Sequence, residues 1–282
     1  GDRARGAVGL NLRTGKGNLD LGDEWGGMQE LSTIYYELPM RRFGDGFGFT
    51  LLFGGATMLG DSIKLGAGAS YQFVGEYEPY EMVDTTGASI AYDYNPGDII
   101  SLNARGEIEG GPWRWTADIV YGLYTTDQVN GTETFRQSPQ LDLRLHMNHA
   151  GEIITYGGMA RYVLRGENDV YDTTGNEVAS LKLYGDEFSL GGYLSWVLSA
   201  GWTVTPNADV RMIGSNDTQF DKSTVVGIGA AVGKSFTKHF SMDAGLKFYT
   251  GTATFVGLSD DHAKTDADVA GLQLTLGLTA AL

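Results

Sequence analysis

Residues 141–158 read LDLRLHMNHAGEIITYGG, and the first half of that stretch alternates without a break. Leu141, Leu143, Leu145 and Met147 fall on one side of an extended chain; Asp142, Arg144 and His146 fall on the other. The same period of two recurs in SIKLGAGASYQF (62–73), IISLNARGEIEG (99–110), PWRWTADIVYGLY (112–124), GWTVTPNADVRM (201–212) and HFSMDAGLKFY (239–249). Helical periodicity is nearly absent, so the chain predicts β-strands almost throughout.

Strands are expected near 4–13, 17–25, 29–41, 46–58, 62–78, 98–109, 112–125, 132–147, 152–165, 179–198, 202–213, 223–236, 240–251 and 269–281. Tight connections such as LGDS (59–62), EGGP (109–112), NHAGE (148–152), SAGW (199–202) and TKHF (237–240) largely alternate with long polar ones near 79–97, 126–132, 166–178, 214–222 and 252–267. Short connections at 13–17 and 42–46 interrupt that rhythm. Aromatic residues cluster at strand ends: Trp113, Trp115, Trp196, Trp202, Phe236 and Phe240 beside tight turns, and Tyr121, Tyr124, Phe248 and Tyr249 towards the other ends. Alternating strands, unequal loops and two aromatic belts are the marks of a transmembrane barrel. The expected fold is all-β: one domain over 1–282, an antiparallel up-and-down transmembrane barrel of 14 strands, with 12 strands plus an N-terminal plug as the alternative. A water-soluble sandwich is the competing architecture.

Composition narrows the function. The chain has 282 residues, 42 glycines, no cysteine and a formal net charge of −15. Absent cysteine excludes disulfides and thiolate metal sites, and the acidic balance argues against nucleic acid as a partner. No apolar run is long enough for a membrane helix. The N-terminus lacks a signal peptide's apolar core, so an export signal is expected to have been removed.

A charge on the lipid side of a barrel is costly, so the polar side should face a wet interior. That reasoning places Arg105, Glu107, Arg114, Asp118, Asp142, Arg144, His146, Arg161, Arg165, Asp209, Arg211, Asp243 and Lys247 along a pore, joined by Lys64, Glu37 and Arg41. Basic groups outnumber acids there, which favours small anionic or zwitterionic solutes; mutual neutralisation that plugs the barrel is the plainer reading. Arg144→Glu or Arg161→Glu should reverse ion preference in an open pore. Gly66, Gly68, Gly227 and Gly229 share the same side, either leaving room for water or a plug, or relieving strain in a coiled sheet. The surplus acid falls in EYEPYEMVD, ENDVYD and SDDHAKTDAD, as solvated loops or as sites for divalent ions bridging lipopolysaccharide.

Catalytic patterns are thin. His239 and Ser241 have a His-x-Ser spacing at a tight turn without a third partner. Asp260, Asp261, His262, Asp266 and Asp268 crowd one loop, and a partner set would be needed on facing loops, for which Asp217 and Asp221 are no more than candidates. His146 and His149 point to opposite faces and make poor co-ligands. No catalytic residue, metal site or cofactor is expected, and the protein is read as a non-enzyme.

Taken together, the chain resembles a Gram-negative outer-membrane β-barrel of the small-porin type, over nearly its whole length and at the level of architecture. The resemblance implies a channel for passive diffusion of small polar, possibly anionic, solutes, with outer-membrane lipid and lipopolysaccharide as surroundings. A transporter of hydrophobic compounds, with inward Met159 and Val163, and a loop-sited hydrolase are the alternatives. The final residues, LGLTAAL, lack the terminal aromatic usual in such barrels.

Overall fold

The computed structural model describes residues 4–13, 47–77, 82–83, 89–90, 93–237, 239–257 and 263–280. Twelve of its strands form one antiparallel sheet in which neighbours in sequence are neighbours in space. They are β1 (Ala4–Arg13), β2 (Gly48–Leu59), β3 (Ile63–Val74), β4 (Ile99–Gly110), β5 (Trp113–Tyr124), β6 (Gln140–Ala150), β7 (Ile154–Arg165), β8 (Glu187–Val197), β9 (Trp202–Ile213), β10 (Phe220–Thr237), β11 (Phe240–Val256) and β12 (Lys264–Ala280). This order is an up-and-down meander. Its two ends, β1 and β12, are not hydrogen-bonded to each other, so the sheet is open among the described residues.

β1 pairs directly with β2, from Ala4 against Thr57 to Arg13 against Gly48. The strands expected at 17–25 and 29–41 therefore do not intervene between them; those segments, with Glu37 and Arg41, lie outside the described residues. Two other expected strands are divided. The run 132–147 breaks at 137–139, where Pro139 has no N–H to donate and the Ser138 N–H turns instead to the Asn168 side chain at 2.9 Å. The run 179–198 breaks at 182–186, where Asp186 accepts the Arg165 backbone N–H at 2.9 Å and the Lys182 ammonium at 2.9 Å.

The pieces cut off this way pair among themselves. Thr132–Arg136 and Glu177–Leu181 join Asn168–Tyr171, Thr126–Val129 and Tyr94–Asn95 in a second, five-stranded sheet. Three long connections, after β3, β5 and β7, are thus fastened together beyond one end of the main sheet. At the opposite end the connections are tight. Gly60 and Gly111 turn the chain there with φ of 68° and 57°, a left-handed conformation that costs glycine no Cβ clash.

One long connection carries a self-contained turn. Asp172 accepts hydrogen bonds from the Thr174 hydroxyl (2.6 Å), the Thr174 N–H (2.8 Å) and the Asn176 N–H (3.0 Å). The Thr174 hydroxyl, followed by the two N–H groups, holds the carboxyl at about 2, below its ordinary 3.8. A depressed carboxylate stabilises its structure above the ordinary value and loses that contribution as pH falls through the depressed one. Protection of the Thr174 and Asn176 amides from hydrogen exchange, taken relative to the unstructured rate at each pH, should therefore hold above pH 3.8 and fall as pH approaches 2. Asp172→Asn should exchange faster at neutral pH.

Candidate functional site: the charged face of the sheet

Strand pairing fixes which residues share a face, because directly opposed residues point the same way. Val8, Phe53, Ala69, Leu102, Tyr121, Leu141, Leu164, Met212, Val226, Phe248 and Leu272 belong to one face. It carries most of the large exposed apolar residues of the described chain, and at its tight-turn end an aromatic group. Trp113 stacks on Trp115, His149 stacks on Tyr156 with centroids 4.6 Å apart, and the Lys234 ammonium lies 5.1 Å over Trp202. Nothing in the described chain covers this face.

The other face is polar. All thirteen charged or imidazole residues expected along a pore lie on it, with Lys64. Pairing sorts them into rows that run across the strands. One row reads Arg105, Asp118, Arg144, Arg161, Ser189, Arg211 from β4 to β9. The next row towards the tight turns reads Lys64, Glu107, Thr116, His146, Met159, Gly191, Asp209.

Near the end that bears the long connections, two carboxylates organise four guanidiniums. Asp142 accepts from Arg144 Nη2 (2.6 Å) and from Arg161 Nη2 (2.8 Å) and Nε (3.0 Å). Glu187, the first residue of β8, lies 3.0 Å from Arg211, 3.5 Å from Arg161 and 3.7 Å from Arg165. Asp142 and Glu187 are each 5% exposed, whereas the Arg144 and Arg211 side chains are 44% and 56% exposed. Short carboxylates sit low in the wall and long guanidiniums stand over them. Four positive groups over two negative ones leave a positive surplus, and the exposed layer is the positive one.

Outside this cluster, on β3 to β5, the charges balance. Lys64 lies 2.7 Å from Glu107 and 3.2 Å from Glu109, Arg114 reaches Glu109 at 2.5 Å, and Arg105 stands 3.7 Å from Asp118. Glu187 and Glu109 were not among the expected residues. Glu187 alternates in phase with Ser189, Gly191 and Tyr193, which was the available signal; Glu109 borders a turn, where alternation ends.

The polar-face glycines have an assignable role. A Cβ on Gly227 would stand 2.7 Å from Lys247 Cε and 2.8 Å from Tyr249 Cε1. Lys247 lies across that glycine from β11 to form an ion pair with Asp209 on β9. Tyr193 lies across Gly157 in the same manner, its hydroxyl donating to Asn148 Oδ1 at 3.1 Å, and Asn103 lies against Gly68. Each glycine is a slot that lets a neighbouring side chain lie flat along the wall. Gly227→Val should lift Lys247 off Asp209. Lys247, with its side chain 19% exposed, should then change from slow to fast reaction with an amine-acylating reagent, read by mass spectrometry.

Among the described residues, those suggestive of loop chemistry do not converge. Asp221 pairs with Lys264 at 2.9 Å, and Asp217 accepts the Lys182 N–H at 2.6 Å. Asp266 accepts from the Thr254 hydroxyl at 2.6 Å. Asp260, Asp261 and His262 lie outside the described residues. His239 stands in the tight turn before β11, its N–H directed to Thr237 Oγ1. His149 is on the apolar face among aromatics, away from His146.

No protein-family model and no curated protein matches the chain. Among solved structures it is similar to the NanC porin at 8% identity and a TM-score of 0.37, over 83% of this chain and 94% of that one. It is similar to the COG4313 outer membrane channel from Pseudomonas putida F1 at 13% identity and 0.40, over 83% of each chain. It is also similar to the Pseudomonas putida toluene transporter TodX at 11% identity and 0.36, over 80% of this chain and 78% of that one.

Proposed function

We propose that the main sheet closes on itself in the outer membrane and that its polar face lines a channel favouring small anionic solutes. The observation that carries this reading is the guanidinium cluster over Asp142 and Glu187, whose exposed layer is positive on a chain of net charge −15. A positive wall raises the local concentration of anions and repels cations. The exposed apolar face suits hydrocarbon better than water. Twelve-residue strands such as β4 and β5, at about 3.3 Å per residue and tilted about 45°, span roughly 28 Å, enough for the apolar band of a membrane barrel. The long connections then face the cell exterior.

Closure has its own physical argument. An open edge would leave a row of unpaired N–H and C=O groups in hydrocarbon, at several kcal/mol each. The two edges are in phase: Val8, Leu10 and Leu12 share the apolar face with Leu274, Leu276 and Leu278, while Asn11 and Thr275 share the polar one. Val8 and Leu276 are 77% and 76% exposed, as strands lacking a neighbour should be. Leu10→Cys combined in turn with Leu274→Cys, Leu276→Cys or Leu278→Cys should yield one pair that oxidises within a single chain. Cross-linked dimers alone would mean that the edges join copies instead.

The channel is tested by single-channel recording in a planar bilayer under a potassium chloride gradient. Discrete steps with an anion-leaning reversal potential are expected. Silence from folded protein, or a cation-leaning potential, would overturn the reading.

A further inference from the structure

The polar face thins out beside the arginine row. Arg144, Arg161, Ser189 and Arg211 form one row of β6, β7, β8 and β9; the next two rows are His146, Met159, Gly191, Asp209 and then Asn148, Gly157, Tyr193, Asn207. A cavity of about 330 Å³ lies over those two rows, and no arginine lines it. Met147, Gly158, Gly192 and Ala208 line it as well, although they form the row in between, whose side chains point to the apolar face. Only their backbone reaches the polar side. With Gly191 beside Gly192, the middle of the recess is a low, flat floor of main chain.

Side chains stand only at the rim, and strand pairing sets their places. Met159 is one strand away from Gly191 on β7, and Asn207 is one strand away from Tyr193 on β9, each step about 4.8 Å. Tyr193 is the next polar-face residue of β8 itself. Met159 and Tyr193 are 43% and 38% exposed, so a thioether and an aromatic ring stand open to the recess. Asp209 also borders it but is neutralised by Lys247. No side-chain hydrogen bond ties Asn207 to the described chain, so its carboxamide has a donor and an acceptor free. His146 and Asn148 lie one strand beyond Met159.

Each part of this lining selects against something. A charged occupant would find no free counter-charge at the rim. A floor without side chains takes a flat molecule, and ring edges pack well against thioether and aromatic groups. A carboxamide matches a neighbouring donor and acceptor on the edge of a nitrogen heterocycle, as asparagine does with adenine. A cavity of roughly 150 Å³ binds one benzene, and this one has about twice that volume.

We infer that the recess is a binding site for an uncharged, planar nitrogen heterocycle of two fused rings, lying over Gly191 and Gly192 with its donor–acceptor edge against Asn207. The site goes beyond the channel reading and does not depend on it, because its contacts come from β7, β8 and β9 and it needs no charge from the arginine row.

Saturation-transfer NMR titrations on the detergent-folded protein test it. The probes are adenine, purine-6-carboxylate, which is as flat but anionic, and cyclohexanecarboxamide, which is uncharged and hydrogen-bonds but is not planar. Adenine should bind about tenfold more tightly than either. Asn207→Leu should weaken adenine by about three- to tenfold, the worth of one or two neutral hydrogen bonds. Gly191→Leu, which puts a side chain on the floor, should remove the adenine signal. Purine-6-carboxylate binding as tightly as adenine would mean that charge selects the occupant, and would overturn the inference. So would the absence of adenine binding, or equal binding by the wild type and both variants. An anion-leaning conductance without adenine binding would overturn this site and leave the channel reading intact. A silent pore that binds adenine as described would do the reverse.

Discussion

Exchanging Arg105 and Arg211 for glutamate together should turn the anion-leaning reversal potential expected of the proposed channel into a cation-leaning one. Both lie in the arginine row, and their side chains are among the most exposed there, at 60% and 56%. Each exchange replaces a positive charge with a negative one, and the pair outweighs the positive surplus of the guanidinium cluster. The sequence pattern had pointed to Arg144 or Arg161 for this purpose. Those two are poorer choices, because both are bonded to the buried Asp142, and a glutamate in either place would press a second carboxylate against it. Arg105 stands 3.7 Å from Asp118 and Arg211 touches Glu187 through one nitrogen, so their loss disturbs the wall less. The single variants should fall between the wild type and the double variant. A filled barrel would show no change in any of them, and recordings in a salt gradient decide the matter.

Asp142→Ala should be the most destabilising exchange on the polar face. It leaves the Arg144 and Arg161 guanidiniums side by side with only Glu187, 3.5 Å from Arg161, still beneath them. Breaking a buried ion pair by removing one partner costs about 3–5 kcal/mol, and the lower figure, about 3, applies because both guanidiniums keep contact with solvent. With the usual dependence of stability on urea, that is a fall of the unfolding midpoint on the order of 1–3 M. Asp142→Asn keeps hydrogen-bond acceptors and should fall less. A midpoint equal to that of the wild type would mean that the two arginines are held by something other than this carboxylate.

The faces were legible in the sequence because a period of two is a local property: once Leu141 and Asp142 are assigned, every residue of that strand follows. That is why Arg105 through Lys247 all appear on one wall. Pairing is not local. The runs 17–25 and 29–41 alternate as well as their neighbours do, yet β1 lies against β2. The breaks at 137–139 and 182–186 depend on Asn168 and on the Arg165 N–H, groups distant in sequence from the segments they interrupt. The sharing of Asp142 and Glu187 among four arginines is likewise set by register across four strands. Gly227 could be seen to face the polar side, but not that Lys247 would lie over it.

That last arrangement bears on how such a wall can change. Where a long side chain rests in a glycine slot, how far it stands off the sheet is governed by the residue underneath it, not by its own length. A glycine codon lies one base from an alanine codon. The proposed passage could thus be narrowed in steps of a single methyl group, with no charged residue exchanged for another.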